Sequence, residues 1–562
     1  MFAKAEVVDN EFSPDSKNWY SLMQGEKQFY IYFTGELFGG DYADKKSCAL
    51  KLLSLYSRIG SDCVAKLSGN FAFAIYEKHS KKLFVARDHF GTKPFFYAHI
   101  GNKFIFATSI NAVKNSNLLK PRLSQSGIAE LFLLGPAKSI GNTALENIKE
   151  LPPATCGYYN TNTNIFSANK YWFLADTPHT DSFEQTVEKV RCLLTKSINR
   201  QLAYDNSNSK GLGTFLSGGL DSSIISSVAQ KHFRARGEVL KTFSVDYVDN
   251  DKHFKASIFQ PNSDNEYVDI MQDYLQSNHT KIYLRTDELV DSLHDAVDAR
   301  GMPGMADIDG SLLLFCKKIK PHIDIALSGE CADEIFGGYQ WFTNESVRAR
   351  FGFPWAQNIE YRASFLHEGI TSKINAKDFV TSFYSSTIRS VDVLDGVSAE
   401  DKRIKQMHVL NYNWFMQTLL SRGESMAEAA GVTIRIPFCD ANIIKYLYSV
   451  PWNIKHAGGR EKGLLRHAAQ ELLDEKVLWR KKSPYPKTHN PHYCAAVAKK
   501  LKEIINNKNS PLLQIANKTA LQNLLTAAQN TTQSSTPWYG QLMATPQTIA
   551  YFIQINYWLE NL

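Results

Sequence analysis

The chain lacks the features that mark membrane proteins and disulfide-stabilised proteins. No apolar run approaches the length of a membrane span, and the first six residues, Met-Phe-Ala-Lys-Ala-Glu, contain no signal-peptide core. The eight cysteines are scattered without a Cys-x-x-Cys pair, so neither a zinc site nor a disulfide framework is expected. Internal repeats and low-complexity tracts are absent as well. We therefore expect a cytoplasmic enzyme with no membrane partner.

A strong excess of one charge is also absent. The 63 basic and 56 acidic side chains leave a net charge of +7, which favours small anionic ligands only mildly. That excess is too small to predict a nucleic-acid partner, and we expect none. Apolar residues, in contrast, make up 44% of the 562 residues. A chain of this length exceeds one ordinary hydrophobic core, so more than one domain is expected.

Residue patterns divide the chain at a polar segment, residues 175–182, whose composition suits a linker. Up to Trp172 the sequence carries short β-like runs, interrupted by one helix-like segment at 46–59. Beyond residue 182, predicted helices (183–202, 222–232 and 265–275) alternate with predicted strands (213–216, 241–245 and 280–284), and from about residue 340 the chain is mainly helical. This alternation indicates a parallel sheet. We expect an α/β protein with domains at 1–172 and 183–562.

A loop rich in serine and glycine joins a predicted strand to a predicted helix. It reads Leu216, Ser217, Gly218, Gly219, Leu220, Asp221, Ser222 and Ser223. The two glycines allow a tight turn, and backbone N–H groups at a helix N-terminus bind anions. Asp221 would repel phosphate unless a metal lay between them, so we expect it to bind magnesium. The loop has no Walker lysine, and the structural alternative is a turn with a capping aspartate.

This loop resembles the one that holds the pyrophosphate portion of ATP in enzymes that adenylate a substrate. Residues 327–334, which read LSGECADE, resemble the LSGEGADE pattern in the synthetase domain of the asparagine synthetase family. Further segments match the same family in the same order. They are residues 303–307 (PGMAD), 435–440 (RIPFCD), 459–466 (GREKGLLR) and 480–487 (RKKSPYPK). The resemblance therefore extends over most of the chain beyond residue 183.

The resemblance implies an ATP site with magnesium. Leu216, Val245, Ser328 and Gly329 are expected around adenine and ribose, and Ser217, Gly218, Gly219, Asp221, Ser222 and Ser223 at the phosphates. Asp221 and Asp333 are expected to share Mg²⁺. Glu330 is expected to organise the acyl-adenylate or to accept a proton from the amine, and Lys462 to stabilise charge at phosphorus. These roles agree with chemistry in which a lysine and a metal offset phosphate charge while a carboxylate takes a proton.

Spacing alone favours less specific explanations for two of these features. A lysine in the position of Lys462 is more often exposed and paired with a neighbouring acid, and only the surrounding motif argues for catalysis. The basic run at 480–482 has a nucleic-acid patch as its rival interpretation. Because the run is short and is followed by Ser-Pro, we expect it to close over phosphates or to be solvated.

The first 172 residues resemble the glutaminase domain of the same family in part. Residues 87–97, which read RDHFGTKPFFY, resemble its RDxxGxKPLYY pattern, and residues 67–74, which read LSGNFAFA, resemble LxGMFAFA. The whole resemblance implies a glutaminase-like (Ntn) α/β sandwich. An adenine-nucleotide α-hydrolase-like (PP-loop) parallel-sheet domain with a helical C-terminal region would follow it.

Glutaminase chemistry itself is not expected. Phe2 stands where the family has its cysteine nucleophile, whose free amine assists the attack on glutamine. The family's RHRGPD loop is absent. Thr34 replaces the asparagine of its NGE motif, and Lys45 and Lys46 stand where an acid is expected. We expect a degenerate domain that packs on the synthetase half.

The nitrogen donor and the acceptor acid are left open. In one interpretation, ammonia or a small amine converts an aspartate-like carboxylate to an amide. In another, the amine belongs to a peptide or secondary-metabolite substrate, as in β-lactam or lasso-peptide cyclases. Residues 421–428 and 439–442 depart from the family pattern and leave the acceptor undecided. A catalytically silent scaffold or ATP sensor is the non-enzyme alternative, against which the intact loop, Asp333 and Lys462 argue. A homodimer is also left open.

Overall fold

The computed structural model describes residues 4–8, 11–14, 19–40, 44–116, 118–202, 210–254, 263–529 and 537–562. Phe2, on which part of the glutaminase expectation depends, lies outside these residues. In the described part of the chain, no helix combines the length and the apolar composition required to cross a bilayer.

Two antiparallel sheets form the N-terminal part. Their strands are β1 (Lys4–Val8), β2 (Glu11–Pro14), β3 (Trp19–Gln24), β4 (Lys27–Leu37), β5 (Gly69–Glu77), β6 (Lys82–Arg87), β7 (Phe96–Ile100), β8 (Lys103–Ala107), β9 (Lys149–Glu150), β10 (Thr155–Asn160) and β11 (Ile165–Lys170). One sheet has the order β2-β1-β8-β7-β9 and the other β11-β10-β6-β5-β4-β3. Helices α1 (Lys45–Ile59), α2 (Ile110–Lys114) and α3 (Gln125–Leu133) accompany them.

Strand β5 shows why the two sheets stack. Successive side chains of a strand point to opposite faces of the sheet. Phe73 and Ile75 pack in the cluster that contains helix α1. Ala72 and Ala74 instead pack with Phe104 of the other sheet. Because both faces are buried, the strand is apolar at nearly every position, and the layers run helix, sheet, sheet.

A parallel sheet follows. Its strands are β12 (Leu212–Phe215), β13 (Lys241–Tyr247), β14 (Asn278–Leu284), β15 (Ile325–Leu327) and β16 (Thr433–Arg435). They pair in the order β14-β13-β12-β15-β16, and every pairing is parallel. From β12 the chain first adds β13 and β14 on one side of the sheet, and then adds β15 and β16 on the other side. The switch point of the sheet therefore lies between β12 and β15.

Helices cover this sheet and form the C-terminal region. They are α4 (Phe183–Leu202), α5 (Leu220–Ala235), α6 (Asn250–His253), α7 (Asn265–Leu275), α8 (Thr286–Arg300), α9 (Asp307–Ile319), α10 (Ala332–Phe336), α11 (Gln340–Thr343), α12 (Glu345–Arg348), α13 (Ile359–Ala363), α14 (Glu368–Thr371), α15 (Ala376–Arg389), α16 (Ala399–Leu410), α17 (Met416–Ala429), α18 (Ala441–Ser449), α19 (Trp452–Lys455), α20 (Gly463–Ala468), α21 (Glu475–Leu478), α22 (Pro491–Asn506), α23 (Leu512–Ile515), α24 (Lys518–Gln529) and α25 (Thr545–Glu560). A π-helical turn, Asn411–Phe415, joins α16 to α17.

The N-terminal part and the C-terminal helices share one apolar core. Phe132 of α3 and Phe552 of α25 belong to the same buried cluster, with ring centroids 5.7 Å apart. The Tyr551 hydroxyl donates a hydrogen bond to the carbonyl oxygen of Leu131 at 2.9 Å. Burial of this extent ties the first 172 residues to the rest of the chain through packing as well as through the covalent connection.

The predicted α/β class, with a parallel sheet behind an N-terminal sandwich, is confirmed. Helices α4 and α7 have the predicted bounds, whereas α5 begins two residues before the predicted helix, at Leu220. Strand β12 ends at Phe215, so Leu216 belongs to the loop and not to the strand. The difference arises because periodicity marks the apolar run but not the residue at which the backbone turns.

Candidate active site

A cavity of about 270 Å³ lies at the carboxyl ends of strands β12, β13 and β15. In open parallel sheets, ligands bind beside the switch point, where loops from neighbouring strands diverge. The lining includes Ser217, Asp221, Glu330, Asp333 and Lys462. The structure thus brings the two Ser-Gly loops and the downstream lysine together around one space.

The first loop is shaped as an anion cradle. Gly218 adopts φ +65°, which lets the chain turn directly into helix α5 with Gly219 at the N-cap. The hydroxyls of Ser217 and Ser222 lie 3.0 Å apart, and the Ser222 hydroxyl accepts from the Ser217 amide at 3.2 Å. Arg480 supports the turn from behind by donating to the Gly218 carbonyl at 2.9 Å. Serine hydroxyls and a helix N-terminus therefore face one place, as phosphate binding requires.

Lys462 joins the two loops. Its Nζ lies 2.5 Å from Oδ2 of Asp221 and 2.6 Å from Oδ1 of Asp333. A second lysine, Lys482, contacts the other oxygen of Asp333 at 2.8 Å. Lys462 is 3% exposed and adopts φ +55°, a left-handed backbone that is uncommon outside glycine. Strained residues of this kind cluster at functional sites.

The charges of this cluster shift each other's titration. Burial alone would lower the pKa of Lys462, but the carboxylates of Asp221 and Asp333 outweigh burial and raise it. Burial alone would raise the pKa of Asp333, yet Lys462 and Lys482 together hold it at about 2. Burial keeps the pKa of Asp221 above its ordinary value, and Lys462 offsets only part of that effect. The site therefore keeps its lysine protonated next to two acidic groups.

The pair of aspartates fits a magnesium ion that arrives with ATP. Mg²⁺ is usually held by one or two carboxylates plus substrate phosphates. Oδ1 of Asp221 is buried without a hydrogen-bond partner, so it is an acceptor that a cation would satisfy. Throughout the described ranges, no group of three or more His, Cys, Asp and Glu side chains is arranged to hold a metal. Phosphate oxygens would therefore have to complete the coordination.

Glu330 lies beside the second loop and has one engaged and one unengaged oxygen. Arg422 of helix α17 donates from Nη2 to Oε1 of Glu330 at 2.5 Å. Oε2 of Glu330 is buried and has no hydrogen-bond partner. The Arg422 guanidinium also lies over the Tyr485 ring, 5.0 Å from its centroid. One carboxylate oxygen is thus anchored while the other is available as an acceptor.

Most of the predicted site residues line the cavity. These are Leu216, Ser217, Gly219, Asp221, Ser222, Val245, Ser328, Gly329, Glu330, Asp333 and Lys462. Gly218 and Ser223 do not. Ser223 is fully buried behind the loop, and its amide donates to the Gly219 carbonyl at 3.1 Å. The two loops and Lys462 are therefore together, while a direct contact between the Ser223 hydroxyl and phosphate stays a prediction.

Several lining residues were not given individual roles from the sequence. Arg422, Lys482 and Tyr485 complete the cavity wall, and Cys331 occupies a left-handed position at φ +74° in the second loop. The basic run at 480–482 did signal phosphate contact, and Lys482 does reach Asp333. Nothing in the pattern around Arg422 signalled its partner, because Glu330 is 92 residues away in sequence.

Gly218→Ala tests the shape of the phosphate loop. An added Cβ at this position would lie 2.6 Å from backbone and side-chain carbon of Tyr267, and φ would remain +65°. We expect the unfolding free energy to fall by about 1–3 kcal/mol, measured by chemical denaturation. Gly219→Ala is the matched comparison, since its Cβ would meet only Ser217 Oγ at 3.3 Å. Equal stability of the two variants would contradict the steric argument.

These features define a class of enzyme. Two loops at a sheet switch point, joined by a buried lysine between two aspartates, fit the binding of nucleotide phosphates, and together with the family comparisons they define an ATP-dependent carbon–nitrogen ligase that forms AMP and pyrophosphate. The chain belongs to the asparagine synthase family. The Asparagine synthase family model matches residues 189–560, and a Glutamine amidotransferase domain model matches residues 24–172. The family resemblance found in the motifs is thereby confirmed.

Two relatives illustrate the similarity. The chain is 40% identical over 545 residues to asparagine synthetase (glutamine-hydrolyzing) 3 of Bacillus subtilis (strain 168), covering 95% of this chain and 87% of that protein. It is 26% identical over 531 residues to asparagine synthetase (glutamine-hydrolyzing) 1 of the same organism, covering 86% of this chain and 79% of that protein. The similarity therefore includes both the N-terminal and the C-terminal parts.

Proposed function

We propose that the chain converts an aspartate-like carboxylate to its amide with ATP and ammonia. A carboxylate oxygen attacks the α-phosphorus of ATP, and pyrophosphate leaves. Ammonia then attacks the acyl carbon, loses a proton and displaces AMP. The observation that carries this proposal is the position of Lys462, whose ammonium contacts Asp221 and Asp333 and so joins the two loops.

The residues of the cavity support the first half of the reaction. The serine hydroxyls and amides at 217–222 would hold the pyrophosphate portion of ATP as the P–O bond breaks. Asp221 and Asp333 would hold Mg²⁺, which when bound neutralises charge on the phosphate oxygens. Lys462 donates hydrogen bonds to the oxygens on which negative charge increases. Before substrate binds, Lys462 and Lys482 together offset the charge of the two aspartates.

Glu330 supports the second half. Its anchored Oε1 fixes the carboxylate, and its unengaged Oε2 is the acceptor for the proton that the attacking ammonia must lose. A general base of this kind contributes about 10²–10⁴-fold to a rate. Arg422 pairs with Glu330 through Oε1 only, so Oε2 is left without a partner.

Three residues of the N-terminal part support ammonia in preference to glutamine as the nitrogen donor. Thr34 lies within β4, opposite Ala72 of β5, where the family motif has an asparagine. Lys45 begins helix α1, with its Nζ 5.7 Å from the centroid of the Tyr32 ring, where the family has an acid. Glu36 of the same strand is committed to an ion pair with Arg435. We propose that this domain has a structural role and no glutaminase activity, although both relatives are named as glutamine-hydrolyzing enzymes.

Separate measurements of pyrophosphate release and product formation test the proposal. The purified chain would be incubated with ATP, Mg²⁺ and a set of carboxylic acids that includes aspartate, with ammonium, glutamine or no donor. We expect pyrophosphate to be released with an aspartate-like acid, and amide to form with ammonium but not with glutamine. Glutamine-dependent turnover would overturn the proposed donor. If no acid yields pyrophosphate, the chain is a silent scaffold and the proposed function is wrong.

A further inference from the structure

Helix α17 connects the N-terminal part of the chain with the candidate active site. Arg422 and Glu424 are two positions apart on this helix, so their side chains leave it in nearly opposite directions. Arg422 donates to Glu330 in the cavity at 2.5 Å. Glu424 accepts from Nζ of Lys93 with both carboxylate oxygens at 2.7 Å. Helix α17 thus contacts Glu330 on one side and Lys93 of the N-terminal part on the other.

The backbone of α17 also approaches Glu330 closely. A Cβ placed on Gly423 would lie 2.9 Å from Oε2 of Glu330, the oxygen that lacks a partner. A glycine at position 423 therefore leaves space for Oε2 of Glu330, which any larger residue would reduce. A small rotation or translation of the helix would therefore change both the Arg422 contact and the space around the carboxylate. The position of α17 sets the geometry of Glu330.

Several hydrogen bonds hold the loop that presents Lys93. Asp88 accepts hydrogen bonds from the Thr92 hydroxyl at 2.8 Å and from the Lys93 amide at 3.2 Å. Arg87 donates from Nε to the Lys93 carbonyl at 2.6 Å and from Nη2 to the Gly91 carbonyl at 2.7 Å. Side chains that are locked in this way position a partner more accurately than a flexible loop could. The RDHFGTKP segment is therefore built to hold the Lys93 backbone in place.

The same loop contacts α17 at a second point. Gln417 donates from Nε2 to the Phe90 carbonyl at 3.0 Å. Gln417 and Glu424 are seven residues apart, which is close to two helical turns and places them on one face. The loop therefore grips α17 at two sites along its length. Two contacts fix the rotation of a helix, whereas one contact would only tether it.

We infer that Lys93 is a positioning residue of the synthetase reaction, because it fixes Glu424 and thereby sets the α17 geometry in which Arg422 holds Glu330. The inference rests on the proposed function, in which Glu330 serves the amine step. It gives the N-terminal part a role in catalysis that requires no glutamine. Asp221, Asp333 and Lys462 hold one another directly, so the adenylation step does not depend on this connection.

Breaking the connection should affect the two half-reactions unequally. Lys93 and Glu424 are largely buried, and removal of one partner leaves an uncompensated charge that drives the helix to move. We expect Lys93→Met to lower kcat for amide formation from ammonia by about 10–100-fold. Exchange of labelled pyrophosphate into ATP should stay within about twofold of the wild type, because the phosphate loop keeps its geometry. Glu424→Gln should reproduce this split, and Lys93→Arg should restore part of the lost rate.

Tyr56→Phe provides the control. Tyr56 is a buried residue of the same part of the chain, its hydroxyl donates to Glu77 at 2.5 Å, and both residues lie outside α17. A loss of stability without repositioning should change both half-reactions by the same factor. If Lys93→Met behaves like Tyr56→Phe, or if neither half-reaction changes, the inference is wrong. If Lys93→Met fails to fold, the split in Glu424→Gln decides the matter.

Glu330→Gln separates failure of this inference from failure of the proposed function. Loss of amide formation in Glu330→Gln, together with an unaffected Lys93→Met, would overturn only the positioning role. If Glu330→Gln still forms amide at the wild-type rate, Glu330 has no role in the amine step and the proposed mechanism is wrong. Wild-type protein that yields no pyrophosphate exchange would overturn the proposed function itself.

Discussion

Lys462→Met is expected to lower the rate of pyrophosphate exchange by about 10²–10³-fold, the loss typical of a removed transition-state donor. The ammonium of Lys462 lies between Asp221 and Asp333, so the substitution removes a group that contacts both loops. Initial rates of labelled pyrophosphate incorporation into ATP, with saturating acid and Mg²⁺, measure the effect. Because the half-reaction precedes the amine step, the loss should be the same with and without ammonia.

Lys462→Arg distinguishes charge from geometry at this position. The Lys462 side chain is tightly enclosed, since a Cβ on Gly338 would lie 2.4 Å from its Cε. A guanidinium is wider than an ammonium and cannot occupy the same point between two carboxylates. We therefore expect Lys462→Arg to remain folded, as judged by circular dichroism and its midpoint of denaturation, and to stay at least about tenfold impaired.

Lys317→Met is the control for both variants of Lys462. Lys317 is an exposed lysine that pairs with Asp295 at 2.8 Å and does not line the cavity. Exposed pairs contribute about 0–1 kcal/mol, so neither the exchange rate nor the stability should change appreciably. Exchange at the wild-type rate in folded Lys462→Met would show that the lysine is a structural counterion for the aspartates and has no catalytic role.

Local sequence predicted the candidate phosphate loop more completely than the residues around Glu330. Gly218, Asp221 and Ser222 lie in one short loop, and their residue types report its chemistry without knowledge of the fold. Lys462 was found through a motif, because its partners are 241 and 129 residues away. No sequence motif around Arg422 indicates which residue it contacts. Arg422 contacts Glu330 because α17 packs beside the second loop. Local sequence patterns do not predict tertiary packing of this kind.

The N-terminal part shows the same limit. The RDHFGTKP segment matches a family pattern, but the sequence does not indicate that this segment contacts α17 at two positions. Asp88 and Arg87 organise the loop, and Lys93 reaches a glutamate 331 residues away. Charged residues inside a pattern are usually assigned to chemistry or to solvent. Here Lys93 lies in a buried interface, where pairing is required to offset desolvation.

Arg435→Met is expected to lower the free energy of unfolding by about 3–5 kcal/mol, the usual cost of leaving a buried charge without its partner. Arg435 is fully buried at the end of β16, and Nε and Nη2 each donate to Glu36 of β4 at 2.7 Å. It also donates to the Gln201 carbonyl. Chemical denaturation followed by fluorescence measures the loss, and the midpoint should fall without a change in the slope if the transition stays two-state.

The double variant Glu36→Met with Arg435→Met shows whether the ion pair contributes to stability or to the position of the Arg435 carbonyl. Removing both charges replaces the ion pair with apolar side chains, which is often neutral for stability. We expect the double variant to regain much of the lost unfolding free energy. Activity should not recover equally, because the Arg435 carbonyl accepts from the Ser328 amide at 2.9 Å, and Glu36 fixes the residue that supplies this carbonyl. Recovery of both stability and ATP affinity would show that the Glu36–Arg435 pair is needed only to compensate its own charges. Recovery of stability alone, with a raised KM for ATP, would mean that the N-terminal sheet positions Ser328, which is expected near adenine and ribose, in the way that we propose for Lys93 and Glu330.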